Sequence, residues 1–204
     1  MQSSIPASTP QCNVDPAGDL ILLVGQERNQ RPIRVSSKVL SLASPVFATM
    51  FGPRYLEGHI LSKHAKFSIP SLSLPEEDPE AMTWFCRAVH LQLNANEKAM
   101  TVGFIRKIAA LCDKYDASTA LSGWSRLWME DLSNSLLRIY NTVSKHPALV
   151  LYISHAFSTS YVFKNHRTFW LATRNVVHHR SLEDIRHLKD NPKCSIYPNR
   201  LLGK

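Results

Sequence analysis

The stretch from Gly18 to Phe51 constrains this chain more than any other part of it. It reads GDLILLVG, a polar loop, then RPIRVSSKVLSLASPVFATMF. Leu20 to Val24 is an unbroken apolar run, which suits a strand covered on both faces. Residues 25–31 are mostly polar and end it. Ile33 and Val35 then alternate with Arg34 and Ser36. That period of two predicts a short return strand with Ile33 and Val35 facing the core. Pro32 has no amide donor and belongs at the start of that strand or at an edge. Lys38 to Ala43 and Pro45 to Phe51 read as two short helices with almost no spacer. Ser44 is the expected N-cap of the second and Pro45 its first helical residue. Gly52-Pro53 stops it.

Farther on, residues 54–65 read as a loop and Lys66 to Ile69 as a short strand before Pro70. Asp78-Pro79 opens a helix, with Asp as cap and Pro at the first position. Met82, Phe85, Cys86 and Val89 form its apolar stripe. A second helix begins near Thr101, with Ile105, Ile108, Ala109, Cys112 and Tyr115 on one face. A third follows Ala117, carrying Leu121, Trp124, Trp128 and Leu132. In the tail, Leu149, Tyr152, Ile153 and Ala156 suit one helix, and Phe169, Thr173 and Val176 another. Ser181, with Asp184 three residues on, caps a last helix that Asn191-Pro192 ends. Strands precede a run of helices, so the expected class is α+β, a small sheet flanked by helices. Residues 1–16, rich in Ser, Pro, Gln and Asn, read as a disordered leader.

Charge divides the chain. Residues 1–130 hold 13 Lys or Arg against 12 Asp or Glu, a balance of +1, while residues 131–204 hold 11 against 4, a balance of +7. A basic tail attracts nucleic acid, anionic lipid or an acidic partner, or is simply a solvated helical surface. Arg167, Arg174 and Arg180 mark it, with Tyr161 and Trp170 nearby. No zinc finger, helix-turn-helix or other reader motif accompanies them. Trp170 is expected to pack in the tail's own core, so nucleic acid ranks last among the partners.

Cys12, Cys86, Cys112 and Cys194 are far apart, with no C-x-x-C pair. Cys86 and Cys112 fall on apolar helix faces, where a free Cys behaves as a small hydrophobe. No disulfide framework and a reducing compartment are expected. The first ten residues lack the basic start and apolar core of a secretory signal, and no apolar run approaches a membrane span. The expectation is an intracellular protein, nuclear or cytoplasmic, with no membrane association.

Residues for catalysis are missing from the pattern. There is no G-x-S-x-G, and Gly25 stands alone, so no phosphate-cradling loop is predicted. His178, His179 and His187 lie near one another without a Cys or acidic ligand at metal spacing. No enzyme, cofactor or metal is expected.

Five fragments in order resemble the BTB/POZ family, most of all its short members from filamentous fungi. Gly18-Asp19-Leu20 looks like the family's strand opening, and Lys38-Val39-Leu40 like the start of its first core helix. Ser44-Pro45-Val46-Phe47 followed by Met50-Phe51 looks like its "S-x-x-F-x-x-M-F" segment. Asp78-Pro79-Glu80-Ala81-Met82 looks like the opening of its third helix. Ala110-Leu111-Cys112-Asp113-Lys114-Tyr115 looks like its "A-D-K-Y" helix, with Cys112 in place of Ala. The resemblance covers residues 18–132. It implies a leader over 1–16, a BTB/POZ domain over 17–132 and a helical extension over 133–204. It further implies a non-enzymatic protein–protein interaction module, self-association as a homodimer, or a substrate adaptor on a cullin scaffold of a ubiquitin ligase. Ser37 stands where many relatives carry His. Long-form dimers of the family place a helix and a strand ahead of the first core strand. The Ser/Pro-rich leader occupies that region here, which argues against their strand-swapped dimer.

The resemblance also points to partner-binding residues. Asp19 and Lys38 match an acidic–basic pair that lines a pocket in some members; an ordinary ion pair at the sheet edge is the alternative. Tyr55-Leu56-Glu57 sits where cullin-binding relatives carry a hydrophobic-x-Glu motif. An exposed apolar side chain can anchor in a pocket while the carboxylate reads a basic or amide group. The alternative is a surface loop in which Tyr55 caps the core.

Overall fold

A computed structural model describes residues 12–64, 69–93, 100–140 and 147–179. Among them are a small four-stranded sheet and eight helices, a mixed α+β chain. The chain forms two compact units, Met1–Glu97 with Tyr115–Ala120, and Lys98–Lys114 with Leu121–Lys204.

In the first unit the strands are β1 (Cys12–Asn13), β2 (Leu20–Val24), β3 (Arg31–Val35) and β4 (Ser71–Leu74), in the order β1-β3-β2-β4. The unbroken apolar run became the inner strand. β2 pairs antiparallel with β3, setting Leu20 opposite Val35 and Leu22 opposite Ile33, and parallel with β4. Leu22, Ile33 and Val35 are wholly buried, as the period of two requires. Pro32 lies one residue before the ladder to β1 begins at Ile33. Gly25 ends β2 in a left-handed conformation, φ 91°, which costs Gly little and a side-chain residue more.

Two expectations are corrected here. Cys12 and Asn13, placed in the leader, form β1 and run parallel to β3 of the same chain. Val14 behind them is buried, and its amide and that of Asp15 reach the Arg34 carbonyl. A strand thus does precede the first core strand. Residues 56–64, expected as loop, form α3 (Leu56–His64). A strand forms at Ser71–Leu74, where Leu72 and Leu74 alternate with Ser71 and Ser73; of the strand expected at Lys66 to Ile69, all but Ile69 lies outside the described residues.

The helices α1 (Ser37–Ala43), α2 (Pro45–Met50) and α4 (Pro79–Val89) complete the unit. Ser36, Ser44 and Asp78 cap them, each side chain accepting from the amide three residues on. His90, just past α4, joins two elements. Its Nε2 accepts from the Ser36 amide at 3.1 Å, which leaves Nδ1 to donate to the Cys86 carbonyl at 2.7 Å.

The second unit holds α5 (Val102–Lys114), α6 (Ser122–Tyr140), α7 (Pro147–Val162) and α8 (His166–His179). α5 packs on α7, and α8 on both α6 and α7. Its interior is unusually polar: Ser133, Thr168 and Asn175 are buried between α6 and α8. Ser133 and Thr168 share a hydroxyl hydrogen bond of 2.8 Å, Thr168 also donates to the Met129 carbonyl, and Asn175 to that of Leu136. The helix expected from Ser181 lies outside the described residues.

Candidate functional site

Two fragments far apart in sequence meet in the core of the first unit. Ser44 caps α2 by accepting from the Phe47 amide at 3.1 Å, and its hydroxyl donates to the Tyr115 carbonyl. The Phe47 ring lies flat on that of Tyr115, centroids 4.4 Å apart and planes 7° from parallel. Phe51 stacks on Phe47 in turn, at 5.6 Å. The Tyr115 hydroxyl donates to Glu77 at 2.9 Å. Burial and then the Glu77 carboxylate push the Tyr115 phenol well above its ordinary range, so it stays a donor. Asp116 takes a left-handed conformation (φ 49°) just after Tyr115, turning the chain so that Ala117 is buried.

This junction fixes where α2 begins; Phe51 caps its end, and the next segment emerges after Gly52-Pro53. Tyr55 and Leu56 are 48% and 71% exposed, so Tyr55 does not cap the core. Leu56 opens α3 and Glu57 lies in its first turn, where a carboxylate suits the positive end of the helix dipole. The Tyr55 carbonyl accepts the His59 amide, and the Tyr55 amide donates to Gly52. Gly58 presses against the Gly52 backbone so closely that a Cβ there would stand 2.1 Å from the Gly52 carbonyl oxygen. Leu56 and Glu57 are thus presented on a helix end seated on backbone.

Asp19 and Lys38 are both exposed and form no ion pair. The Asp19 carboxylate instead accepts the Ser37 amide at 2.7 Å and the Ser37 hydroxyl at 2.6 Å, tying the start of β2 to the start of α1. No hydrogen bond links either residue to Tyr55, Leu56 or Glu57. Ser37 is the residue that engages Asp19.

Cys86 and Cys112 are free and buried. Burial drives the Cys86 thiol up, and burial followed by Asp113 pushes Cys112 up to about 12. Neither supplies a thiolate at neutral pH. No group of three or more His, Cys, Asp or Glu is placed to hold a metal among the described residues. None of the described helices is long and apolar enough to cross a membrane.

Two features escaped sequence reasoning. Trp170, expected in the tail's own core, is 57% exposed, with the Arg174 guanidinium 4.8 Å over its ring. His155 on α7 is buried, and its Nε2 has no hydrogen-bond partner among the described residues. Burial and the nearby Arg106 cation hold its pKa down at about 4. A lone His on an apolar helix gives no signal for either property.

No protein-family model matches the chain, and no curated protein matches it.

Proposed function

We propose that this chain is a non-enzymatic BTB/POZ protein that works inside the cell, in nucleus or cytoplasm, as a protein–protein interaction module. One observation carries the reading. The family-like segment at Ser44 to Phe51 and the family-like Tyr115 close on each other through a hydrogen bond and a ring stack. Fragments that resemble a family by chance have no reason to meet in one core. The surface this core presents is the exposed Tyr55–Leu56 pair at the start of α3. Proximity labelling in the native cell, with wild type beside Leu56→Asp, tests it. A set of protein neighbours that Leu56→Asp removes is expected; the same set with both chains refutes the assigned surface.

A second reading is a substrate adaptor for a cullin ubiquitin ligase. What favours it is the presentation of Leu56, 71% exposed, beside Glu57 in the first turn of α3. Pull-down with the cullin's N-terminal region decides it. Glu57→Lys is expected to lose binding; equal binding by both chains, or none by either, counts against the motif.

A further inference from the structure

The backbone hydrogen bonds of the sheet leave one edge open. β2 and β4 run parallel, with Leu22 beside Leu72 and Val24 beside Leu74. The Ile21 amide donates to the Pro70 carbonyl and the Gly25 amide to that of Leu74. The even-numbered positions of β4 therefore turn their backbone toward β2, and Ser71 and Ser73 turn theirs away. Among the described residues no hydrogen bond engages the amide or carbonyl of Ser71 or Ser73, and both residues are exposed. Natural edges are blunted by Lys, Pro, a bulge or shortness. The opposite edge, β1, is blunted by its length of two residues. β4 reads Ser-Leu-Ser-Leu, with no charge and no Pro, in unbroken register with β2.

Leu72 and Leu74 share a face with Leu22 and Val24. Leu22 and Val24 are wholly buried, whereas Leu72 and Leu74 are only half-buried. The core face thus runs out to the edge and is still partly wet there. Beyond β4 the charge is one-sided. Residues 69–86 hold Glu76, Glu77, Asp78 and Glu80 and no Lys or Arg, in a chain whose net charge is +8. Glu77 accepts from Tyr115 and Asp78 caps α4, while Glu76 and Glu80 are exposed. Arg31, two strands in from the edge, donates to Thr83.

We propose that β4 takes up an extended segment of a partner protein as an added antiparallel strand. The edge dictates the chemistry of that segment. The residues set opposite Ser71 and Ser73 exchange both backbone bonds with them and carry polar side chains on the outer face. The residues set opposite Leu72 and Leu74 are β-branched or aromatic and finish the core face. In an antiparallel pairing the N-terminal end of the segment lies beside Pro75, so Lys or Arg there meets the acidic end of the edge. Main-chain bonds give such a contact its affinity and the alternate side chains its selectivity. This goes beyond the interaction face at Leu56 and does not rest on it.

The probe is a displayed library of random peptides of about ten residues, the upper length of a strand, panned on the full chain. Enriched sequences are expected to place Lys or Arg ahead of an alternating apolar–polar run, and the synthetic peptide to bind less tightly in high salt. Ser73→Pro removes an outward amide and none that bonds β2, a position where an edge tolerates Pro; the affinity is expected to fall at least about tenfold. Ser73→Ala and Leu56→Asp are expected to bind as wild type does. N-methylation of the peptide keeps the test decisive if Ser73→Pro fails to fold. A methyl on either amide that faces Ser71 or Ser73 is expected to abolish binding, and a methyl on the alternate amides to be tolerated. No enriched sequence, enrichment without alternation, or binding indifferent to the position of the methyl overturns the proposal. So does binding that Leu56→Asp loses and Ser73→Pro keeps, which would assign the peptide to the other face. A chain that pairs with its own copy through this edge and takes no peptide overturns it as well.

Discussion

Ser44→Ala is the sharpest test of the junction that holds the first unit together. Ser44 is wholly buried and makes two hydrogen bonds with one hydroxyl. As acceptor it caps α2, and loss of an N-cap costs about 1 kcal/mol. As donor it satisfies the Tyr115 carbonyl, and a buried acceptor deprived of its donor costs about 1–3 kcal/mol. The sum is about 2–4 kcal/mol, with little cavity because only an oxygen is removed. Hydrogen exchange of the full chain, read on peptides covering 44–51 and 79–89, measures it where the two units would otherwise blur a single unfolding curve. Exchange through unfolding of the first unit should rise roughly 30- to 900-fold, at tenfold per 1.4 kcal/mol. Tyr115→Phe gives the comparison. It keeps the carbonyl and the stack on Phe47 and loses the hydroxyl bond to Glu77, about 1–2 kcal/mol. A rise under about fivefold for Ser44→Ala, near 1 kcal/mol, would mean that only the cap was lost. The link between α2 and Tyr115 would then not be what holds these fragments together.

Gly58→Ala should cost about 1–3 kcal/mol by overpacking, since the new methyl would stand 2.1 Å from the Gly52 carbonyl oxygen. Gly123→Ala, with nothing within 4 Å, should be neutral or stabilising by up to about 1 kcal/mol, and hydrogen exchange on peptides from each unit compares the two. At Asp116, φ 49°, Val should destabilise by about 1–2 kcal/mol and Gly should not, measured the same way. His155 makes stability depend on pH. The unfolded chain takes up its proton near pH 6.5 and the folded chain only near 4. Stability is therefore full above pH 6.5 and falls as pH drops from 6.5 to 4. Discounted for solvent screening the loss is about 1–2 kcal/mol. The gap in exchange protection of the second unit between the two ends of that window, each corrected for intrinsic exchange, should shrink in His155→Asn relative to wild type, and an unchanged gap would remove His155 as the cause.

What could be read in advance depended on whether an element's stability is written in its own residues. β2, β3, α1, α2 and α4 carry their signals locally, in a run, an alternation or a cap followed by Pro, and they stand where expected. β1 has two residues and no pattern; what holds it is the ladder to Ile33 and Arg34, which no local rule sees. α3 lacks an apolar stripe because its closest contact is backbone on backbone, Gly58 on Gly52. Its glycine reads as a breaker when it is in fact the fit. The same reasoning applies to the sites. Tyr55, Leu56 and Glu57 could be singled out by position, but neither their exposure nor the helix that Leu56 opens is written in those three residues. At Asp19 the engagement is local too: Ser37 supplies both an amide and a hydroxyl to its carboxylate. Trp170 was misread because large aromatics usually count as core. The inner face of α8 is instead built from Thr168, Leu171, Ala172 and Asn175. Small and polar side chains let α6 and α8 hydrogen-bond across their seam, and with that face committed the Trp170 ring is left toward solvent.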